Sequence, residues 1–175
     1  QKVLAKFVGW GGLKNALEDG KKDWETENAE VKALLTPAEL AAAKASTLNA
    51  HFTSKTVVNA IWQAVQRFGL KNGSILEPSV GSGNFFGLMP GELRPHSKFL
   101  AVELDPLTSA IARHLYPEAE IYGARGFEEI NVGENRFDLA IGNPPFDSMT
   151  IKDKFNKELE FNLHGFFFAK SIEAV

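Results

Sequence analysis

The sequence predicts an α/β fold with a doubly wound, mostly parallel sheet behind a helical N-terminal extension. Two observations carry this prediction. From residue 74 onward, short apolar segments bounded by turn residues alternate with segments of helical spacing, which is typical of consecutive βαβ units. A glycine-rich turn follows the first of these segments. The predicted strands are 74–78, 98–104, 119–123 and 136–142.

Residues 1–50 predict the helical extension. In 36–46, Thr36 can cap a helix, Pro37 stands at the first helical position, and Glu39 completes a capping box. Upstream, the glycine-rich turn 7–13 (FVGWGGL) contains Trp10, which we expect to be buried. We expect the charged segment 19–31 to be a solvent-exposed connector.

Three further helices are predicted. Segment 51–69 is amphipathic, with Thr53 or Ser54 as its cap and Gly69 at its end. Its apolar positions at helical spacing are Val57, Ile61, Val65 and Phe68, and Val58 and Trp62 widen the stripe. Segment 106–117 links the second and third strands as a helix. Segment 162–175 reads as a helix, although its three phenylalanines are also compatible with a buried strand.

Composition narrows the function. The 175 residues fit one domain, and the absence of cysteine excludes disulfides, thiolate metal sites and a cysteine nucleophile. Nineteen basic residues against 22 acidic ones give a net charge of −3, which argues against a self-sufficient nucleic-acid binder. No apolar segment has the length of a membrane span and no signal peptide opens the chain, so we expect a cytoplasmic protein without membrane partners. The scattered histidines predict surface or packing roles and no metal site: His51, His96, His114 and His164.

The loop after the first strand predicts a nucleoside site. In 75–87 (ILEPSVGSGNFFG), Gly81 and Gly83 allow a tight turn and a close approach of backbone to a ligand. We expect a helix to follow and to present free N–H groups. Glu103 ends the second predicted strand 20 residues after Gly83, a spacing that suits a carboxylate accepting hydrogen bonds from ribose hydroxyls.

These residues resemble the S-adenosylmethionine-dependent amino-group DNA methyltransferases, whose first motif is an acidic residue, proline, two residues and Gly-x-Gly-x-Phe. Glu77, Pro78, Gly81, Gly83 and Phe85 match it in order. The resemblance implies a Rossmann-like class I methyltransferase fold and S-adenosylmethionine as cofactor.

Other matches extend the resemblance. Phe52 and Thr53 match the family's upstream aromatic-Thr-Pro motif, with Ser54 in place of proline, and would face the methionine end of the cofactor. Glu103 carries over as the ribose ligand. Phe127 would stack on the adenine ring, and Glu128 would replace the acid that the family has where Gly126 stands.

Asn143, Pro144, Pro145 and Phe146 match the catalytic NPPF motif of the N6-adenine enzymes in this family. Two acceptors, the Asn143 side-chain oxygen and the Pro144 carbonyl, could take both hydrogens of an exocyclic amine and free its lone pair. The prolines would hold these acceptors rigidly, and Phe146 would stack on an extruded base.

The motif order is that of the gamma-type adenine enzymes. The stretches VGWGGL, LTPAEL and STLNAHFTS also resemble methyltransferase regions of large phage and plasmid methylase–helicase proteins. Because the chain starts at Gln1 and stops within a predicted helix, we expect a piece of a longer protein. Residues 51–175 would be a C-terminally truncated methyltransferase core, with DNA bound through regions outside this chain and with helicase-like domains as possible partners.

Two alternatives stay open. The same chemistry could act on guanine N2 in RNA or on a protein amide nitrogen. The chain could also be a cofactor-binding interaction module without turnover, a reading that the missing acid beside Phe127 and the acidic net charge favour.

Overall fold

The computed structural model describes residues 2–7, 9–47 and 52–175. The helices are α1 (Lys14–Leu17), α2 (Glu25–Leu34), α3 (Pro37–Ser46), α4 (Lys55–Arg67), α5 (Asn84–Gly87), α6 (Pro106–Leu115) and α7 (Leu163–Ala174). The strands are β1 (Gly73–Glu77), β2 (Ser97–Glu103), β3 (Glu120–Gly123), β4 (Leu139–Ala140), β5 (Thr150–Lys152) and β6 (Glu160–Asn162). Short 3₁₀ turns lie at Leu4–Lys6, Gly11–Leu13, Lys22–Trp24, Arg94–His96 and Phe127–Glu129.

The central sheet has the order β3-β2-β1-β4, and all its pairs are parallel. The chain moves from β1 to β2 and β3 on one side and then returns to β4 on the other. The strand order therefore reverses at β1, which is where open α/β sheets bind ligands beyond the carboxyl ends of their strands. The predicted parallel α/β architecture is confirmed.

Two apolar clusters cover the faces of the sheet. One gathers Val58 and Trp62 of α4 with Ile75, Phe86 and Phe99. The other packs α7 against the opposite face, and its members include Leu76, Val102, Phe127, Phe166 and Phe167. The 162–175 segment is thus a helix, capped by the Asn162 side chain, which accepts from the Gly165 N–H at 3.0 Å.

The N-terminal helices form a third cluster. Trp10, Leu17 and Ala43 are buried there, and Leu107 of α6 packs against them. The predicted capping box of α3 is present, since the Thr36 hydroxyl accepts from the Glu39 N–H at 3.3 Å while the Glu39 carboxylate accepts from the Thr36 N–H at 2.8 Å. The extension therefore packs directly onto the α/β core.

Several element predictions need correction. The charged segment 19–31 is not a plain connector, because α2 occupies Glu25–Leu34 and presents its charges to solvent. The buried face of α4 centres on Val58 and Trp62, whereas Val57 and Phe68 are 48% and 90% exposed. Ser54 caps this helix by accepting from the Val57 N–H at 3.4 Å. The predicted helix position His51 lies outside the described residues.

The antiparallel hairpin β5–β6 follows the NPPF segment and is joined to α7 by a buried ion pair. Lys170 donates to Asp153 and, at 2.7 Å each, to the carbonyls of Phe127 and Ile130. The second Asp153 oxygen accepts from the N–H groups of Phe155 and Asn156 at 2.7 and 2.8 Å. These bonds fix the hairpin beside the loops at the carboxyl end of the sheet.

Candidate active site

A cleft of about 440 Å³ opens at the carboxyl ends of β1, β2 and β4. Most of the predicted site residues line it: Phe52, Thr53, Glu77, Pro78, Gly81, Phe85, Glu103, Phe127, Asn143 and Pro145. Gly83, Pro144 and Phe146 do not belong to this lining. One cavity therefore gathers the predicted cofactor loop and the start of the NPPF segment.

Glu103 is bonded to the glycine loop. One carboxylate oxygen accepts from the Gly81 N–H and the other from the Asp105 N–H, both at 2.8 Å. Burial raises the pKa of Glu103, and these two N–H donors oppose that rise. Since each carboxylate oxygen can accept a second hydrogen bond, Glu103 can hold the loop and still accept from a ligand.

Glu77 ends β1 with a side chain that is only 1% exposed. Burial raises the pKa of this carboxyl well above its usual range, and the charge of Glu103 adds to the rise. Its Oε2 atom is buried and has no hydrogen-bond partner among the described residues. A buried acceptor without a donor is costly, so this oxygen is suited to a donor brought by a ligand.

Asp105 shares this property. Its Oδ1 atom caps α6 by accepting from the Thr108 N–H at 2.8 Å, and its buried Oδ2 atom has no partner in the described part of the chain. From the sequence, only Glu103 of this stretch was predicted to contact the ligand. The structure places it in the lining of the cleft.

The glycines have different roles. Gly81 has φ +56° and lines the cleft, as expected for a backbone that approaches a ligand. Gly83 has φ +87°, and a Cβ there would lie 2.2 Å from the Tyr116 ring, so this glycine serves the packing of α6 behind the loop. The expected helix follows as α5, which has only four residues.

The upstream motif meets the same loop. The Phe52 ring lies against Gly81, where a Cβ would be 3.4 Å from it. The Thr53 carbonyl accepts from the Asn84 side chain at 3.4 Å. Phe85 is buried, and its carbonyl accepts from the Trp62 indole at 2.9 Å, so it anchors the loop to α4.

Phe127 does not offer a face for stacking. Its side chain is 1% exposed and its ring packs against Phe166 and Phe167, with centroid distances of 6.1 and 5.2 Å. Lys170 Nζ lies 4.7 Å from its centroid. The predicted stacking of Phe127 on an adenine ring is therefore replaced by a position in the core at the edge of the cleft, next to Gly126 and Glu128.

The NPPF segment leaves β4 directly after Gly142. The Ser79 hydroxyl donates to the Asn143 carbonyl at 3.0 Å, which ties the segment to the cofactor loop. Phe146 is 62% exposed and stacks on His164 at 5.8 Å and 30°. The segment thus presents Asn143 to the cleft and an aromatic ring to solvent.

Sequence reasoning missed the N-terminal wall of the cleft. Gly9 and Trp10 line the cleft together with Ala42, Ala45 and Ser46 of α3. The sequence shows the glycine-rich turn, but it does not show that this turn meets a loop more than 60 residues away. Ser79 was missed for the same reason.

Two solved structures are similar to this fold. At a TM-score of 0.58 and 16% identity, the structure is similar to a protein described as the modification subunit of a type I restriction enzyme from Vibrio vulnificus YJ016, over 90% of this chain and 36% of that chain. It is also similar to a protein described as a class I S-adenosylmethionine-dependent methyltransferase from Listeria monocytogenes, at a TM-score of 0.53 and 12% identity, over 93% of this chain and 60% of that chain. The chain has the class I methyltransferase fold.

One curated protein is similar to this chain in sequence. Over 103 residues the chain is 28% identical to the Defense against restriction protein B of Escherichia phage P1, covering 57% of this chain and 4% of that protein. No family model matches the chain. The chain spans only a small part of the phage protein and about a third of the Vibrio subunit.

Two structural findings concern other classes of site. No helix within residues 2–7, 9–47 and 52–175 is long and apolar enough to cross a membrane. In the same residues, no group of three or more histidine or carboxylate side chains is arranged to hold a metal ion.

Proposed function

We propose that the chain is the cofactor-binding and catalytic core of an S-adenosylmethionine-dependent methyltransferase that methylates the N6 amine of adenine in DNA. One observation carries the proposal: the Glu103–Gly81 loop and the NPPF segment border one cleft and are bonded to each other through Ser79 and Asn143. The phage relative and the restriction-modification subunit support a DNA substrate.

The residues of the cleft fit the cofactor. S-adenosylmethionine carries an ammonium group, two ribose hydroxyls and an adenine amine, so it brings several donors. Glu77 and Asp105 each hold a buried oxygen without a partner, and Glu103 retains acceptor capacity. We assign Glu103 to the ribose hydroxyls and Glu77 and Asp105 to further donors of the cofactor.

The cofactor, when bound, supplies an electrophilic methyl group on a sulfonium sulfur. Asn143, with the Pro144 carbonyl, accepts the two hydrogens of the adenine amine and orients its lone pair. Methyl transfer to the amine nitrogen would release S-adenosylhomocysteine, and this nitrogen would lose one proton to solvent. Because the two prolines fix both acceptors before the substrate arrives, little reorganisation is needed.

The exposed ring of Phe146 is suited to an extruded base. Its 62% exposure leaves one face open while His164 supports the other. Aromatic rings in this position stack on flipped bases in enzymes that modify them. Contacts to the duplex would come from regions outside this chain, with helicase-like domains of a longer protein as further partners.

Two variants separate binding from catalysis. Glu103→Ala should weaken binding of S-adenosylhomocysteine by roughly 1.5–3 kcal/mol, the worth of hydrogen bonds to a charged group.

Asn143→Ala should abolish methyl transfer, because the Asn143 side chain faces the amine. It should leave the cofactor affinity nearly unchanged, because the Asn143 carbonyl still accepts the hydrogen bond from Ser79. Calorimetry on the chain and radiolabel transfer by a longer protein containing it would measure both.

Other results would redirect the proposal. No heat with either form of the cofactor would remove the methyltransferase function. Cofactor binding without transfer to DNA, RNA or protein would support an interaction module. Transfer to RNA or to a protein amide, but not to DNA, would change the substrate class and keep the site.

A further inference from the structure

The N-terminal extension supplies one wall of the cleft. Gly9 and Trp10 line it beside α3. Trp10 is 8% exposed and is held by Phe7, whose ring lies 5.6 Å away edge to face, and by the cluster that reaches Leu107 at the start of α6. This wall is therefore packed onto the element that follows Glu103.

Phe52 joins the same wall to the cofactor loop. A Cβ on Gly9 would lie 2.5 Å from one edge of the Phe52 ring, and a Cβ on Gly81 would lie 3.4 Å from the opposite edge. Gly9 also has φ +80°, a left-handed conformation that favours glycine. The ring thus lies between two glycines, which sets the position of the N-terminal turn relative to the loop.

Trp10 also has a buried N–H donor without a partner among the described residues. Its indole Nε1 has no acceptor among the described residues, whereas the equivalent atom of Trp62 donates to the Phe85 carbonyl at 2.9 Å. Buried donors in folded proteins are nearly always paired. The unpaired buried side-chain atoms of the described chain are Trp10 Nε1, Glu77 Oε2, Ser97 Oγ, Asp105 Oδ2 and His164 Nδ1, and the residues of three of them line this one cleft.

We infer that Trp10 is a ligand-binding residue whose indole N–H donates to the nucleoside cofactor, and that the turn around it is an integral wall of the cofactor site. The inference rests on the proposed function and deepens it. Two acceptors and one donor without partners fit a ligand that carries both kinds of group. An amino-acid nucleoside does so, since its carboxylate and purine nitrogens accept while its ammonium and hydroxyls donate.

The test compares Trp10→Phe with Trp24→Phe. Phenylalanine keeps an apolar ring but removes the N–H, and Trp24 lies outside the lining of the cleft. In calorimetry, Trp10→Phe should bind S-adenosylhomocysteine roughly 3- to 10-fold more weakly, as expected for one lost hydrogen bond, and Trp24→Phe should bind like the wild type. Without ligand, the smaller ring should lower the melting temperature modestly because it packs less well, so affinities are compared at a temperature where both proteins are folded.

A second measurement follows the wild-type chain by nuclear magnetic resonance and uses a variant only to assign one signal. The indole N–H of Trp10 should give a nuclear magnetic resonance signal that moves downfield when S-adenosylhomocysteine is added to the wild-type chain, while the signals of Trp24 and Trp62 stay near their positions. Trp10→Phe assigns the signal by its loss.

The outcomes separate the two proposals. If the wild type binds S-adenosylhomocysteine but the Trp10 signal stays in place, or Trp10→Phe binds equally well, the inference is overturned and the proposed cofactor stands. A lower melting temperature with unchanged affinity would make Trp10 a packing residue. If the wild type binds neither form of the cofactor, the proposed function fails and the role of Trp10 fails with it.

Discussion

At the scale of single residues, Glu77 is held almost completely out of water at the end of β1, with Glu103 as a charged neighbour. Both influences disfavour its ionised form, so the folded pKa lies above the ordinary value of 4.5. A group with a raised folded pKa contributes stability that is present below its unfolded pKa and is lost as the pH rises through the folded pKa.

Glu77→Gln should therefore gain stability over the wild type as the pH rises above about 4.5, because the variant has no charge to bury. Within the window between the two pKa values, the difference in free energy of unfolding should grow by up to about 1.4 kcal/mol per pH unit. Urea unfolding of the ligand-free chain at several pH values measures it. Glu158→Gln, which alters an exposed carboxylate, is the control. Parallel curves for wild type and Glu77→Gln would contradict the raised pKa.

The site was predictable at residues that local motifs mark. Glu77, Gly81, Glu103 and Asn143 line the predicted cleft. Other roles depend on distant neighbours. Gly83 faces Tyr116, and Phe127 is covered by α7, so neither position could be judged from its own segment. Trp10 was expected to be buried, but its own segment gave no sign that it lines the cleft.

At the scale of elements, caps and apolar spacing predicted α3, α4, α6 and α7, because both signals are local, whereas α2 was not predicted. Thr36, Ser54 and Asn162 each cap a helix through a side-chain oxygen. The strand β4 is shorter than its apolar segment, since only Leu139 and Ala140 pair with β1. The sequence did not show which face of α4 is buried, because Val57 and Val58 are equally apolar. Packing against the sheet buries Val58 and leaves Val57 exposed.

The hairpin and α7 offer a matched pair of tests on two ion pairs. Lys170→Met should cost roughly 3–5 kcal/mol of unfolding free energy, because it leaves the buried Asp153 carboxylate without its cation. Lys152→Met breaks the exposed pair with Glu160, 2.6 Å apart, and should cost less than about 1 kcal/mol. Chemical denaturation measures both. Similar costs for the two variants would show that the Lys170 pair does not anchor the hairpin.

At the scale of the whole molecule, the charge balance argues against strong DNA binding by this chain alone. The chain carries 19 basic and 22 acidic residues. Several lysines of the N-terminal layer already face carboxylates: Lys21 lies 3.3 Å from Glu18, and Lys32 and Lys44 lie 2.5 and 4.0 Å from Asp19. A surface that neutralises phosphates needs unpaired cations in a row. Because acidic residues outnumber basic ones and these lysines are already paired, we expect the chain alone to neutralise few phosphates.

The isolated chain should therefore bind duplex DNA weakly, with a dissociation constant no tighter than about 1 µM, the range of non-specific binding. Fluorescence anisotropy with a labelled duplex in about 0.15 M salt measures this. Asp19→Asn serves as a probe, because it releases Lys32 and Lys44 from their shared carboxylate. If these lysines lie away from DNA, the variant should bind like the wild type. Sub-micromolar binding by the wild type, strengthened further in Asp19→Asn, would contradict the expectation that DNA is bound outside this chain. The N-terminal segment 14–24 would then become the candidate DNA-binding element, and the chain would contain both the catalytic residues and the DNA-binding surface.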